Sequence, residues 1–195
     1  MPVKSHHVMV SRFSTRKLTY DDFVNFPDDG QRHELIDGVH YVTPTPITKH
    51  QRVVMRLSTS LHNYLSANPI GEVFGVPLDV VMSRSDVVEP DVQVILREQQ
   101  EILTEKNVQG TPAIVAEVLS PGTRRRDLGI KRDLYDRAGV REYWVLDPIR
   151  DTVTIYLRAP TATLAAQPEL NRAAGDALAC VLLPDWSLSL EVLFK

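Results

Sequence analysis

Apolar positions along this chain switch between two spacings, and the switches outline its elements. Across residues 48–65, His50, Val54, Leu57, Leu61, Tyr64 and Leu65 recur at helical spacing, which predicts the longest helix with these residues inward. Asn68-Pro69-Ile70-Gly71 ends it. Two strands are expected next, 72–83 and 87–96, joined by an antiparallel turn at Arg84-Ser85-Asp86. After a linker or short helix over 98–109, the run Ala113–Leu119 is apolar but for one residue, as in a strand covered on both faces. Pro121-Gly122 stops it, and a helix over 126–138 leads into the strand 142–146, which halts at Asp147-Pro148. Residues 152–157 form another strand.

Upstream, Thr19 followed by Asp21 and Asp22 marks the start of a short helix. In Arg32–Val42, Asp37-Gly38 separates two strand-like runs, a strong hairpin signal that sets Glu34 opposite Tyr41. A strand, a crossover helix and a further strand imply a parallel unit, whereas the hairpins are antiparallel. The expected fold is therefore α/β with a mixed sheet. Residues 1–18 read as a flexible leader and 19–195 as one domain, long enough for a full core. Segment 161–175 is Ala-rich and carries no clear pattern; 178–183 and 188–194 are expected to add edge strands.

Composition narrows the chemistry. The single cysteine, Cys180, excludes an intramolecular disulfide framework and a multi-cysteine zinc site, and its apolar surroundings make it a core residue. No basic start followed by an apolar stretch opens the chain, and no apolar run approaches a membrane span, so the expected location is cytoplasmic with no membrane partner. The net charge of −3 means that any affinity for phosphates must be local. The best local cluster is Arg124-Arg125-Arg126; an ordinary solvated charge run is the competing reading.

Three charged residues break the apolar pattern. Glu117 stands in Ala113–Leu119, where a carboxylate must be paired, protonated or metal-bound. Asp91 follows Pro90 on the strand 87–96; taken alone it reads as a solvent-facing acid, but neighbouring strands can bring it to Glu117. Lys131 falls at the middle of the apolar side of its helix, among Leu128, Ile130, Leu134, Tyr135 and Ala138. Snorkelling or an i,i+4 pair with Asp127 accounts for it in one reading. In the other, its ammonium points at the two acids. Paired carboxylates are hard oxygen ligands that suit Mg²⁺ or Mn²⁺, and a nearby ammonium can steady developing negative charge. That combination reads as metal-assisted attack on a phosphodiester. Glu34 could complete a metal shell. His50 is either functional or a capping or core histidine, and Asp79 either supports the acids or forms an ion pair. His33 and His40 read as diagonal cross-strand neighbours on the surface.

Six ordered stretches resemble a known family: Glu34-Leu35-Ile36-Asp37-Gly38, His50-Gln51-Arg52, Pro90-Asp91, Glu117-Val118-Leu119-Ser120-Pro121, Lys131 through Tyr135, and Gly139-Val140-Arg141-Glu142-Tyr143-Trp144. Together they resemble the PD-(D/E)xK nuclease superfamily, and within it the Uma2 group of endonucleases. The resemblance implies a restriction-endonuclease-like αβββαβ core with an N-terminal hairpin and C-terminal strand additions. It also implies a Mg²⁺- or Mn²⁺-dependent endonuclease acting on nucleic acid, chiefly DNA. Asp91, Glu117 and the Val118 carbonyl would hold the metal, with Glu34 a further ligand. Lys131 would orient the attacking water, Tyr135 would accompany it in a RecB-type helix motif, and Arg124, Arg125 and Arg126 would hold backbone phosphates. Cutting both strands would favour a homodimer. One departure stands out: the superfamily's lysine usually lies two residues after the second acid, where this chain has Leu119, so Lys131 would be its displaced equivalent. A catalytically silent module binding nucleic acid or a protein through the same surface is the alternative. A hydrolase for small phosphoesters is a third reading.

Overall fold

A computed structural model describes residues 16–43, 46–159 and 163–195. The expected leader therefore lies outside the described residues, apart from its last three positions. Helix α1 (Tyr20–Phe23) is opened by Thr19, whose backbone N–H donates to the Asp22 carboxylate. The hairpin of β1 (Arg32–Ile36) and β2 (Val39–Thr43) has the expected register, Glu34 opposite Tyr41. Its two turn residues, Asp37 and Gly38, both have positive φ, as this tight turn requires. Helix α2 (Thr48–Ala67) buries His50, Val53, Val54, Leu57, Leu61 and Leu65 along one side.

The next region departs from expectation in an instructive way. Each of the two long strands is two strands: β3 (Gly71–Gly75) and β4 (Val80–Ser83), then β5 (Asp86–Val88) and β6 (Val92–Leu96). The interruptions fall at Val76-Pro77 and Glu89-Pro90, where a proline has no N–H to offer the ladder. Strand β3 pairs antiparallel with β6, and β4 with β5, so one long hairpin bends at its two prolines and passes from one sheet into another. Hydropathy patterning cannot show this, because both halves are equally apolar.

The 3₁₀ turn Arg97–Ile102 and the short strand β7 (Val108–Gln109) fill the expected linker. Strand β8 (Ile114–Val118) follows, then a continuous helical stretch made of α3 (Arg124–Arg126), a π turn (Asp127–Lys131) and α4 (Arg132–Ala138). Gly139, with φ of 90°, ends it. Strand β9 (Glu142–Asp147) lies parallel to β8, and β10 (Thr152–Arg158) returns antiparallel. The remaining elements are β11 (Leu164–Ala166), β12 (Leu170–Asn171), β13 (Ala177–Ala179), β14 (Ser187–Ser189) and α5 (Leu190–Leu193). Thus 188–194 is not an edge strand throughout but turns into a helix. The unreadable Ala-rich segment supplies two short strands to β10.

The larger sheet runs β11-β10-β9-β8-β6-β3, with β12 also on β10; the smaller runs β2-β1-β5-β4-β7. One face of the larger sheet packs Val94, Ala116 and Trp144 against α2 and the C-terminal elements, where Trp186 stacks parallel on Trp144 at 5.5 Å. The other face packs Ile95, Val115 and Tyr143 against Leu134 and Tyr135 of α4 and against Ile36, Val80 and Val88 of the smaller sheet. Cys180 is buried as expected, but just beyond β13 rather than within a strand. Its thiol donates to Glu142 Oε1 at 3.2 Å; Val181 N–H donates to the same oxygen, and Trp144 Nε1 to Glu142 Oε2. Burial pushes that thiol well up, which suits an inert core position.

Candidate functional site

The bend at Glu89-Pro90-Asp91 delivers an acid into the seam between the two sheets. Asp91 directly precedes β6, whose Val92 lies opposite Ala116, so Asp91 falls across from Glu117 on the neighbouring strand. Both side chains are almost wholly buried, and Asp91 Oδ2 accepts from the Val118 N–H at 2.9 Å. The expected adjacency of the two acids is therefore present.

Lys131 is also where the pattern put it. It is 3% exposed, and its Nζ lies 2.6 Å from Glu34 Oε1 and 2.9 Å from Glu117 Oε1. Neither snorkelling nor solvent describes it. Tyr135 OH donates to the same Glu117 oxygen at 2.6 Å. Glu34 reaches the site because β1 carries it inward; its Oε1 also accepts from the Glu89 N–H, and its Oε2 accepts from Thr43 Oγ1. Asp91 is held from the other side. His50 Nε2 lies 3.0 Å from Oδ2, and Arg32 Nη1 donates to Oδ1 at 3.0 Å.

The three arginines of the expected phosphate cluster go separate ways. Arg126 turns inward, donating to Thr43 Oγ1 and lying 3.7 Å from Glu34 Oε2. Arg124 is held by Asp147 at 2.5 Å. Arg125 is exposed and, among the described residues, forms no hydrogen bond or ion pair. Asp79 is half-buried and forms no ion pair among the described residues; burial raises its pKa. His33 and His40 are stacked, their ring nitrogens 2.9 Å apart, with Asp29 on the far nitrogen of His33.

Sequence reasoning missed Arg32, Thr43, Glu89 and Gln93. Arg32 and Thr43 sit at the ends of ordinary hairpin strands, and nothing local marks them. Gln93 did carry a signal, since it shares the alternating face of Asp91. It is 1% exposed, and among the described residues neither end of its amide has a partner; Glu89 Oε2 and His50 Nδ1 are likewise without one there.

The charges are unevenly settled. Burial opposes ionisation of Glu34, but the Lys131 ammonium overcomes it and holds the carboxyl below the usual range. Burial likewise opposes Asp91, where the His50 hydrogen bond and the His50 and Arg32 charges hold it low. At Glu117 burial wins: despite Lys131, its carboxyl is pushed up to about 8, with Asp127, Asp91 and Glu34 adding repulsion. Glu89 is pushed up to about 7 by burial and by the Asp79 charge. One lysine between two acids leaves one ionised and the other holding a proton at neutral pH.

These residues do not fit a divalent cation as arranged. Both Asp91 oxygens, both Glu34 oxygens and Glu117 Oε1 are taken by protein donors. Among the described residues no group of three or more His, Cys, Asp or Glu side chains is placed to hold a metal ion. What the arrangement does chemically is neutralise its own carboxylates.

The family model described as "Uma2: Putative restriction endonuclease" matches residues 20–191. The chain belongs to the Uma2 family. This places it within the PD-(D/E)xK nuclease superfamily. A crystal structure of "a putative nuclease belonging to DUF820" from Anabaena variabilis superposes with a TM-score of 0.74 over 91% of this chain and 97% of the other, at 19% identity. That likeness establishes a shared mixed α/β fold. No curated protein matches the chain. The Uma2 match spans every residue of the buried cluster, from Glu34 to Tyr135.

Proposed function

We propose that this protein is a nuclease-fold module that binds nucleic acid while its acid pocket is kept shut by ion pairs. The observation that carries this reading is the closure itself: Lys131 pairs with Glu34 and donates to Glu117, while Arg32 and His50 occupy Asp91. Breaking such buried pairs exposes an uncompensated charge at a cost of about 3–5 kcal/mol, so the closed set resists opening. Family membership supports nucleic acid, with DNA foremost, as the partner. Exposed, unpaired Arg125 on the helix above the pocket supplies a phosphate contact without sequence choice.

A second reading, a Mg²⁺- or Mn²⁺-dependent endonuclease using Asp91 and Glu117, is favoured by one feature. The seam holds Glu34, Glu89, Asp91, Glu117 and Asp127 against Arg32, His50, Arg126 and Lys131, an excess of acid that protons on Glu117 and Glu89 offset.

One experiment separates the two. Labelled linear, supercoiled and single-stranded DNA is incubated with the full chain, in EDTA and in Mn²⁺. Binding in EDTA with no cleavage in Mn²⁺ is the expected result. Cleavage that requires Mn²⁺ and disappears in Glu117→Ala overturns the silent reading for the second. No binding under either condition overturns both.

A further inference from the structure

Beside the acid pocket, and sharing Arg32 and Thr43 with it, lies an open recess of about 310 Å³. Its walls come from Arg32, Thr43, Pro46, Gln51, Val76 and Pro77. The bend that splits the long hairpin thus has a second product: Val76 and Pro77, freed from both ladders, face the entry to α2 across a gap. The recess is tied to the acids at two points. Arg32 lines it while donating to Asp91, and Thr43 lines it while donating to Glu34.

We propose that this recess receives the base of one unpaired nucleotide, held beside the acid pocket. The inference rests on the nucleic-acid reading above and names the form of nucleic acid the site takes. The wall chemistry argues for a base. Proline rings and a valine offer flat apolar surface to its faces, and a guanidinium plane stacks on bases or bonds phosphate. The exposed side-chain amide of Gln51 forms no hydrogen bond among the described residues, leaving its donor and acceptor free for a base edge. A base inside a duplex has its faces covered by its stacked neighbours, so a base must be unpaired to lay a face against these walls. A phosphate at the mouth would compete with Asp91 for Arg32, which couples occupancy of the recess to the ion pairs of the pocket.

The test uses the full chain in EDTA with labelled single-stranded and duplex DNA of equal length, read by fluorescence anisotropy. A second set carries 2-aminopurine in the single strand. The expected result is single-strand binding about tenfold tighter than duplex, as one good amide-to-base-edge pair gives, with a change in 2-aminopurine emission on binding. Gln51→Ala, a change at an exposed side chain, lowers single-strand affinity about fivefold and moves the ratio of the two affinities toward one. Equal affinity for single strand and duplex, or a ratio unmoved by Gln51→Ala, overturns the recess while leaving nucleic-acid binding in place. Absence of binding to either form instead overturns the nucleic-acid reading itself.

Discussion

Lys131 on the π turn and Glu34 on the N-terminal hairpin stand 2.6 Å apart, both almost fully out of water. The pair fastens the smaller sheet to the helix that covers the larger one. Removing the ammonium leaves Glu34 ionised with little compensation, and Lys131→Met should destabilise the protein by about 3–5 kcal/mol. Adding Glu34→Gln should restore part of that loss, because the stranded charge goes too. Urea unfolding of the single and double variants measures both. A loss under about 1 kcal/mol would mean the pair behaves like an exposed one.

The split between Glu34 and Glu117 has a pH signature. Glu117 and Glu89 have folded-state values raised to about 8 and about 7 from 4.5, so between pH 4.5 and 8 the folded state binds more protons than the unfolded one. Stability must then fall as pH rises through that window. Depressed Asp91 and Glu34 act oppositely, their contribution being lost as pH falls below the ordinary carboxylate range. Thermal unfolding should therefore peak in mildly acidic buffer. In Glu117→Gln the decline from pH 5 to pH 8 should shrink by an amount on the order of a few kcal/mol. An unchanged slope would place the proton elsewhere.

Carboxylates already engaged by protein donors leave little for a cation to gain. Millimolar Mg²⁺ at pH 7 should not produce a saturable rise in Tm, since a ligand stabilises only in proportion to its affinity for the folded state. A concentration-dependent rise that is lost in Asp91→Asn would favour the metal-dependent reading instead.

Arg125 is the member of its trio free to meet a phosphate. Arg125→Ala should weaken binding to single-stranded and duplex DNA alike and reduce the magnitude of the log–log salt slope by roughly 0.7–0.9. A variant with an unchanged slope would remove this side chain from the contact surface.

Much of this site was legible in the chain because burial of charge violates a pattern. Glu117 in an apolar strand and Lys131 on an apolar helix side both announced themselves, and both meet in the seam. Asp37-Gly38 fixed the hairpin register that aims Glu34 inward. What stayed hidden depends on contacts distant in sequence. Arg32 looks like any strand-terminal arginine until β6 brings Asp91 against it. The two sheets were hidden too, since Pro77 and Pro90 interrupt strands whose apolar content continues on either side. How those acids are engaged was hidden for a related reason: spacing locates carboxylates but not the cations that answer them.

The folded corner in the long hairpin also sets where this protein tolerates changes in length. Because side chains alternate every residue, one amino acid inserted between Asp91 and Val92 would turn Asp91 to the opposite surface of its sheet, away from His50 and Arg32. An insertion at Arg84-Ser85 would instead disturb a turn whose two carbonyls accept from the Tyr20 and Gly38 N–H groups. At the junction of Asp91 and Val92, the spacing of a single residue decides whether the pocket keeps its acid.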